Sequence, residues 1–200
     1  MSDQSSKKKS VLPALGGVIA ILVILAVGLF WRADKVLPTD SATVGGAFTL
    51  VDGNGKTVTD ADYRGKMLLI YFGYTFCPDI CPTTLGTVAR AFDQLSPEQR
   101  SQFLPIFITV DPERDTADQM AQYVGNYMPE LIGLTGSPEQ IQKVMLEYRV
   151  YARKANDNSP NYTVDHSSVL YLVGRDGKFI KPFSGSIAPG DLAAGLKKAL

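Results

Sequence analysis

Short apolar blocks alternate with polar, glycine- and proline-punctuated turns through most of the chain. Met67–Phe72, Leu104–Val110 and Val169–Val173 are largely apolar runs of strand length, the pattern of strands buried on both faces of a sheet. Between Thr83 and Leu95 the period changes: Leu85, Val88, Ala89, Phe92 and Leu95 recur at helical spacing and predict an amphipathic helix. Asp111–Thr116 leads into a second helix reaching about Tyr127, and Leu131–Leu134 reads as a short strand. Ser137, Pro138 and Gln140 supply the cap, the first helical proline and the third-position partner of a capping box, opening a helix to about Tyr148. Asp52-Gly53-Asn54-Gly55 and Gly174-Arg175-Asp176-Gly177 each join two apolar-alternating segments as hairpin turns. Val150–Tyr162 is polar and turn-rich, an exposed hairpin or loop, and Pro189–Leu200 closes the chain as a helix.

The predicted order is therefore ββ, βαβα, a short β, α, then ββα. A β-α-β unit followed by a helix, an antiparallel hairpin and a final helix is a thioredoxin-like α/β arrangement, here with an N-terminal β-hairpin extension. The crossover predicts that Met67–Phe72 and Leu104–Val110 pair in parallel.

Val11–Phe30 breaks from this pattern as a continuous run of apolar residues, glycine and one proline. A spanning helix needs about 20 such residues, whereas the apolar core of a secretory signal has about 7–15, so length favours an anchor over a cleaved signal. Lys7, Lys8 and Lys9 before the run, and Trp31 and Arg32 after it, place the N-terminus inside and the bulk of the chain outside. The expected organisation is residues 1–10 cytoplasmic, 11–31 a transmembrane helix, 32–46 a linker and 47–200 a thioredoxin-like domain. Asp3 and the lack of an Arg-rich leader argue against an organelle transit peptide, which points to a bacterial inner membrane with the domain in the periplasm.

Composition changes this picture little. The 20 basic and 20 acidic residues cancel, so nothing favours nucleic acid as a partner. The cysteine count matters more: two thiols in an oxidising compartment must be paired, metal-bound or kept reduced by a partner.

Both cysteines lie in Phe76-Cys77-Pro78-Asp79-Ile80-Cys81-Pro82, between a strand and a helix, and the single histidine, His166, lies just before Val169–Val173. Proline suits the first helical position, so the expectation is Pro82 at that place, Cys81 at the N-cap, and both cysteines outside the helix at its positive end, where thiolates are stabilised. In thioredoxin-like domains the segment entering the late strand faces the cysteine turn and carries a cis-proline. Here it reads Thr163-Val164-Asp165-His166, with an imidazole in place of the proline. Two thiolates and an imidazole form a soft donor set that suits copper. Zinc with a water as fourth ligand also fits two cysteines and a histidine. A short structural disulfide would restrict the unfolded chain little. Asp79 is expected to cap or hydrogen-bond the loop rather than bind metal.

The stretch Tyr71–Pro82, followed by Val110-Asp111-Pro112-Glu113-Arg114-Asp115-Thr116 and Val164-Asp165-His166-Ser167-Ser168-Val169-Leu170-Tyr171-Leu172, resembles the Sco (SenC) family from about Gly45 onward. The resemblance implies a membrane-tethered copper chaperone, not an enzyme in its main role, that serves the dinuclear copper centre of cytochrome c oxidase. It assigns copper, as Cu(I) or Cu(II), to Cys77, Cys81 and His166. The copper-bearing oxidase subunit is the implied recipient, and a copper donor or thiol reductant a further partner. Val150–Tyr162 is then the segment expected to move on metal loading or docking. Two other readings stay open: a thiol-disulfide oxidoreductase that reduces the oxidase's copper-ligand cysteines, and a peroxidase or redox sensor for which Thr75, just before Cys77, would be the supporting residue. For Asp111–Thr116 the residues alone give only a loop and a helix cap at Asp115 or Thr116.

Overall fold

A computed structural model describes residues 44–155, 159 and 161–200. The expected N-terminal segment, membrane helix and linker up to residue 43 lie outside these, and among the described residues no helix is long and apolar enough to cross a membrane. The tail of the expected linker is anchored: the Gly45 amide donates to the Glu147 carbonyl at 2.8 Å.

The strands are β1 (Thr49–Asp52), β2 (Thr57–Thr59), β3 (Met67–Gly73), β4 (Phe103–Thr109), β5 (Ile132–Thr135), β6 (Ala152–Lys154), β7 (Val164–His166), β8 (Val169–Val173) and β9 (Phe179–Ser184). The helices are α1 (Ile80–Phe92), α2 (Pro97–Arg100), α3 (Ala117–Gly125), α4 (Pro138–Glu147) and α5 (Pro189–Lys197). Seven strands form one sheet in the order β2-β1-β5-β4-β3-β8-β9. β3 and β4 pair in parallel from Met67 opposite Phe103 to Gly73 opposite Thr109, as the crossover rule requires, while β8 joins β3 antiparallel.

β3 organises the domain because all seven of its residues are buried. Its pleat sends Met67, Leu69 and Tyr71 to one core, with Leu85, Val88 and Phe92 of α1, Met120 of α3 and Leu192 of α5. Leu68, Ile70 and Phe72 go to the other, with Ile141 and Val144 of α4 and Phe48 of the region before β1. Each fully buried large apolar chain contributes about 1.5–3 kcal/mol relative to exposure, so the strand that ends at the cysteine loop is the most firmly fixed element near it. The thioredoxin-like architecture and the N-terminal hairpin at the sheet edge thus follow the hydrophobic pattern.

Three local expectations need correction. Helix α1 starts at Ile80 with Asp79 as N-cap, so Cys81 and Pro82 are its second and third residues. Proline fits there because none of the first four amides of a helix has a partner within it, and the bias of the preceding residue away from helix is outweighed. Second, Val150–Tyr162 includes β6, which pairs with β7 as a separate two-stranded ribbon, Ala152 opposite His166 and Lys154 opposite Val164. His166 therefore ends a strand rather than sitting in a loop. Third, α2 was absent from the predicted order; Ser96, Pro97 and Gln99 form a second capping box too short to show periodicity. The Ser137 box is present as expected, and Thr116, not Asp115, caps α3.

Candidate metal centre

Cys77 lies in the turn after β3, Cys81 in the first turn of α1 and His166 at the end of β7. One donor atom from each falls within 4.8 Å of the other two, close enough for a single ion to reach all three. Cys81 Sγ is 3.4 Å from His166 Nε2, and the Cys81 amide donates to Cys77 Sγ at 3.4 Å. Both cysteines are free thiols. Cys81 has no exposed surface, whereas Cys77 and His166 border an open cleft with Tyr74, Pro78, Asp79, Ile80 and Asp165. Asp79 caps α1 as a residue and accepts from the Thr83 hydroxyl at 3.4 Å, in keeping with a loop role.

The two sulfurs are not alike, which corrects the expectation that both ionise readily. Hydrogen bonding from the Cys81 thiol is the main influence holding the Cys77 thiol down to about 4; burial opposes it, and His166 and the Cys81 and Asp79 amides assist. The same hydrogen bond, with burial and the Cys77 charge, pushes the Cys81 thiol up. The pair parts with its first proton at Cys77 and holds the second on Cys81 until a cation displaces it.

His166 is aimed by its neighbours. Its Nδ1 lies 3.0 Å from the Ser167 carbonyl, which can only accept, so Nδ1 carries a proton and Nε2 is the ring nitrogen that faces the sulfurs. Tyr71 and Tyr74 meet the ring edge-on at 6.2 and 5.7 Å. Tyr74 also accepts the Val164 amide at 3.1 Å, and Tyr71 donates to Cys81 Sγ at 4.0 Å. Segment 163–166 holds no proline, and no cis peptide occurs among the described residues. Gly73 makes room for the buried sulfur: a Cβ there would stand 2.5 Å from Cys81 Sγ and 2.7 Å from the Phe107 ring.

The run Asp111–Thr116 does more than cap a helix. Asp115, fully buried, accepts from the Thr75 amide at 3.0 Å and from the Thr75 and Thr109 hydroxyls at 2.6 Å each, tying the cysteine loop to the end of β4. Burial raises its carboxyl above the ordinary range. Asp111 accepts from the Tyr162 hydroxyl at 2.7 Å, which ties the loop after β4 to the segment that leads into the strand carrying His166. Sequence reasoning missed Tyr71, Tyr74, Asp111, Asp115 and Tyr162 as site-shaping residues. Apart from the Tyr71–Cys81 and Asp115–Thr109 contacts, their partners lie 40 to 97 positions away, and the only sequence signal was the charged Asp-Pro-Glu-Arg-Asp-Thr run itself. Thr75 directs both its hydroxyl and its amide at Asp115, not at Cys77, so it offers a peroxidase no activating group.

The fold and this cleft define a thioredoxin-like domain with a dithiol–imidazole centre. A profile of the SCO1/SenC family matches residues 37–200, and the chain belongs to that family. It is 43% identical over 159 residues to the mitochondrial SCO1 homolog 1 of Arabidopsis thaliana, covering 80% of this chain and 48% of that protein. The chain thus spans about half the length of that relative. The structure of Bradyrhizobium japonicum ScoI with copper bound superposes with a TM-score of 0.72 at 45% identity, covering 78% of this chain and 99% of that one. BsSco, described through a disulfide switch and as a member of the Sco family of cytochrome c oxidase assembly proteins, gives a TM-score of 0.63 at 28% identity over 78% of this chain and 94% of its own.

Proposed function

We propose that this protein binds one copper ion through Cys77 Sγ, Cys81 Sγ and His166 Nε2 and hands it to the copper-bearing subunit of cytochrome c oxidase during assembly. The convergence of the three donors within 4.8 Å carries this reading. The copper in the Bradyrhizobium relative supports the choice of metal, and the description of BsSco supports the client. Two thiolates suffice to hold Cu(I), and the imidazole adds the harder nitrogen that Cu(II) requires. Cys77, at the cleft, is the ligand an incoming thiolate reaches first, so transfer by ligand exchange starts there. The apolar run before Trp31 tethers the domain to a bacterial inner membrane, facing the periplasm, where oxidase sites are loaded.

The test is a titration of the full-length, reduced protein in detergent with Cu(I) and Cu(II). One equivalent of each is expected to bind, with His166→Ala weakening Cu(II) and altering its absorption spectrum. An unaltered Cu(II) affinity and spectrum in that variant would remove His166 from the site.

The unequal cysteines favour a second reading, that the protein reduces a disulfide between the oxidase's ligand cysteines. Cys77 thiolate attacks one sulfur of the partner disulfide and releases the other as thiolate; that thiolate takes the Cys81 proton, and Cys81 attacks Cys77, freeing the reduced partner and leaving a Cys77–Cys81 disulfide. Two electrons pass from this dithiol to the partner. Loss of oxidase assembly in Cys77→Ser but full assembly in His166→Ala would favour reduction over delivery.

A further inference from the structure

Arg114 occupies an unusual place for a cation. Its side chain is only 13% exposed, and its Nε donates to Asp111 Oδ2 at 2.5 Å. The two terminal nitrogens are buried and meet no hydrogen-bond acceptor among the described residues. They face aromatic rings instead: the guanidinium carbon stands 3.6 Å from the centre of the Tyr162 ring, 4.7 Å from that of Phe76 and 5.7 Å from that of Tyr74. The negative ring faces take the role of the missing acceptors, and a planar guanidinium can lie flat on them, as an ammonium cannot.

These rings are not a random set. Phe76 immediately precedes Cys77; Tyr162 lies in the segment that runs into β7; and Tyr74 packs edge-on against the His166 ring and accepts the Val164 amide. Asp111, bound to Arg114, also receives the Tyr162 hydroxyl. One side chain therefore touches the loop that supplies a sulfur and the ribbon that supplies the nitrogen.

We propose that Arg114 is a positioning residue that clamps the β6–β7 ribbon to the cysteine loop and so sets where His166 Nε2 stands relative to the two sulfurs. The clamp itself is a property of the apoprotein; its consequence for metal rests on the copper reading above. Because Cu(I) is held by the thiolates and Cu(II) needs the imidazole, the clamp governs the second far more than the first.

The experiment compares full-length wild type, Arg114→Lys, Arg114→Met and His166→Ala. Hydrogen exchange of the reduced apoproteins gives the metal-free readout: in both Arg114 variants the amides of β6 and β7 are expected to exchange faster while those of β3 and α1 are unchanged. In copper competition both variants are expected to lose about tenfold to a hundredfold in Cu(II) affinity, the range typical for residues that orient metal ligands, and to keep the wild-type Cu(I) affinity. Full restoration by Arg114→Lys in both readouts would overturn the clamp in favour of a simple charge effect. Acceleration of β3 and α1 exchange together with equal weakening of both copper states would reduce Arg114 to a general stabiliser. If wild type and His166→Ala bind copper alike, the copper reading fails, and the exchange pattern still decides whether Arg114 holds the ribbon.

Discussion

The two halves of the metal centre are built by different means. The cysteine half grows out of the sheet: β3 is buried along its whole length, its pairing with β4 runs to Gly73, and Cys81 lies in the first core cluster. The histidine half is a ribbon of three-residue strands outside the main sheet, attached through Tyr162 to Asp111, through the Val164 amide to Tyr74, and through Lys154 to Glu113. Backbone pairing and core burial resist displacement cooperatively, whereas side-chain tethers release one at a time. The two sulfurs are thus preformed, and the nitrogen is adjustable. On the copper reading, two donors come from the sheet side and one from the ribbon.

The largest expected effect tests whether the cysteine half is preformed without the histidine. Alkylation of the reduced apoprotein should show the Cys77 thiolate titrating near pH 4 rather than near the ordinary value of 9. Cys81→Ala should return the midpoint most of the way to 9, because the Cys81 thiol is the leading cause of the shift, and His166→Ala should move it less. A larger movement in His166→Ala would invert the comparison. The same depression has a stability consequence. A thiol more acidic in the folded than in the unfolded protein contributes stability that is complete above the unfolded value, near 9, and is lost as pH falls toward about 4. Thermal melts of the reduced apoprotein across that window should show this slope shrinking in Cys77→Ser.

Next in size is Asp115→Ala, which strikes the cysteine half alone. It leaves the Thr75 amide and the Thr75 and Thr109 hydroxyls without their buried acceptor. Unsatisfied buried polar groups cost about 1–3 kcal/mol each before relaxation, so a loss of about 3 kcal/mol is expected in denaturant unfolding, and a loss under about 1 kcal/mol would mean that the loop is held by something else. Tyr162→Phe strikes the ribbon alone. It removes one hydrogen bond to a carboxylate, worth about 1.5–3 kcal/mol; faster amide exchange in β6 and β7 with little change in global melting is expected. The smallest effect belongs to Lys154→Met, which breaks the exposed Glu113 pair at 2.8 Å and removes the ammonium above Tyr162. Surface pairs of this kind contribute little, and no measurable shift in melting temperature is expected.

Legibility in the sequence followed the same division. Strands β3, β4 and β8 and helices α1, α4 and α5 rest on local pattern and capping, so their existence could be read directly, although the α1 start lies two residues earlier than expected because proline is as acceptable third in a helix as first. The three donor residues were visible because two cysteines and one histidine leave no alternatives. The ribbon was visible only as a hairpin or loop, since β6 has no apolar alternation and is held by Tyr162 and Tyr74 from outside it. The inequality of the sulfurs follows mainly from the hydrogen bond between the two side chains and from the deeper burial of Cys81, a matter of tertiary packing. The roles of Asp111, Arg114 and Asp115 were hidden for another reason: charged residues in a polar loop read as solvated until their buried partners, distant in sequence, are known.

Gly73 carries one more implication. The space that a side chain would fill at the end of β3 is taken by the sulfur of Cys81, so a candidate metal donor doubles as a packing atom of the core. Chemistry at that sulfur is then legible to the whole domain. Conversion of Cys81 to a sulfinate would add two oxygens sharing one negative charge to a fully buried sulfur packed against Gly73, so oxidation there is expected to loosen the core as well as the cleft.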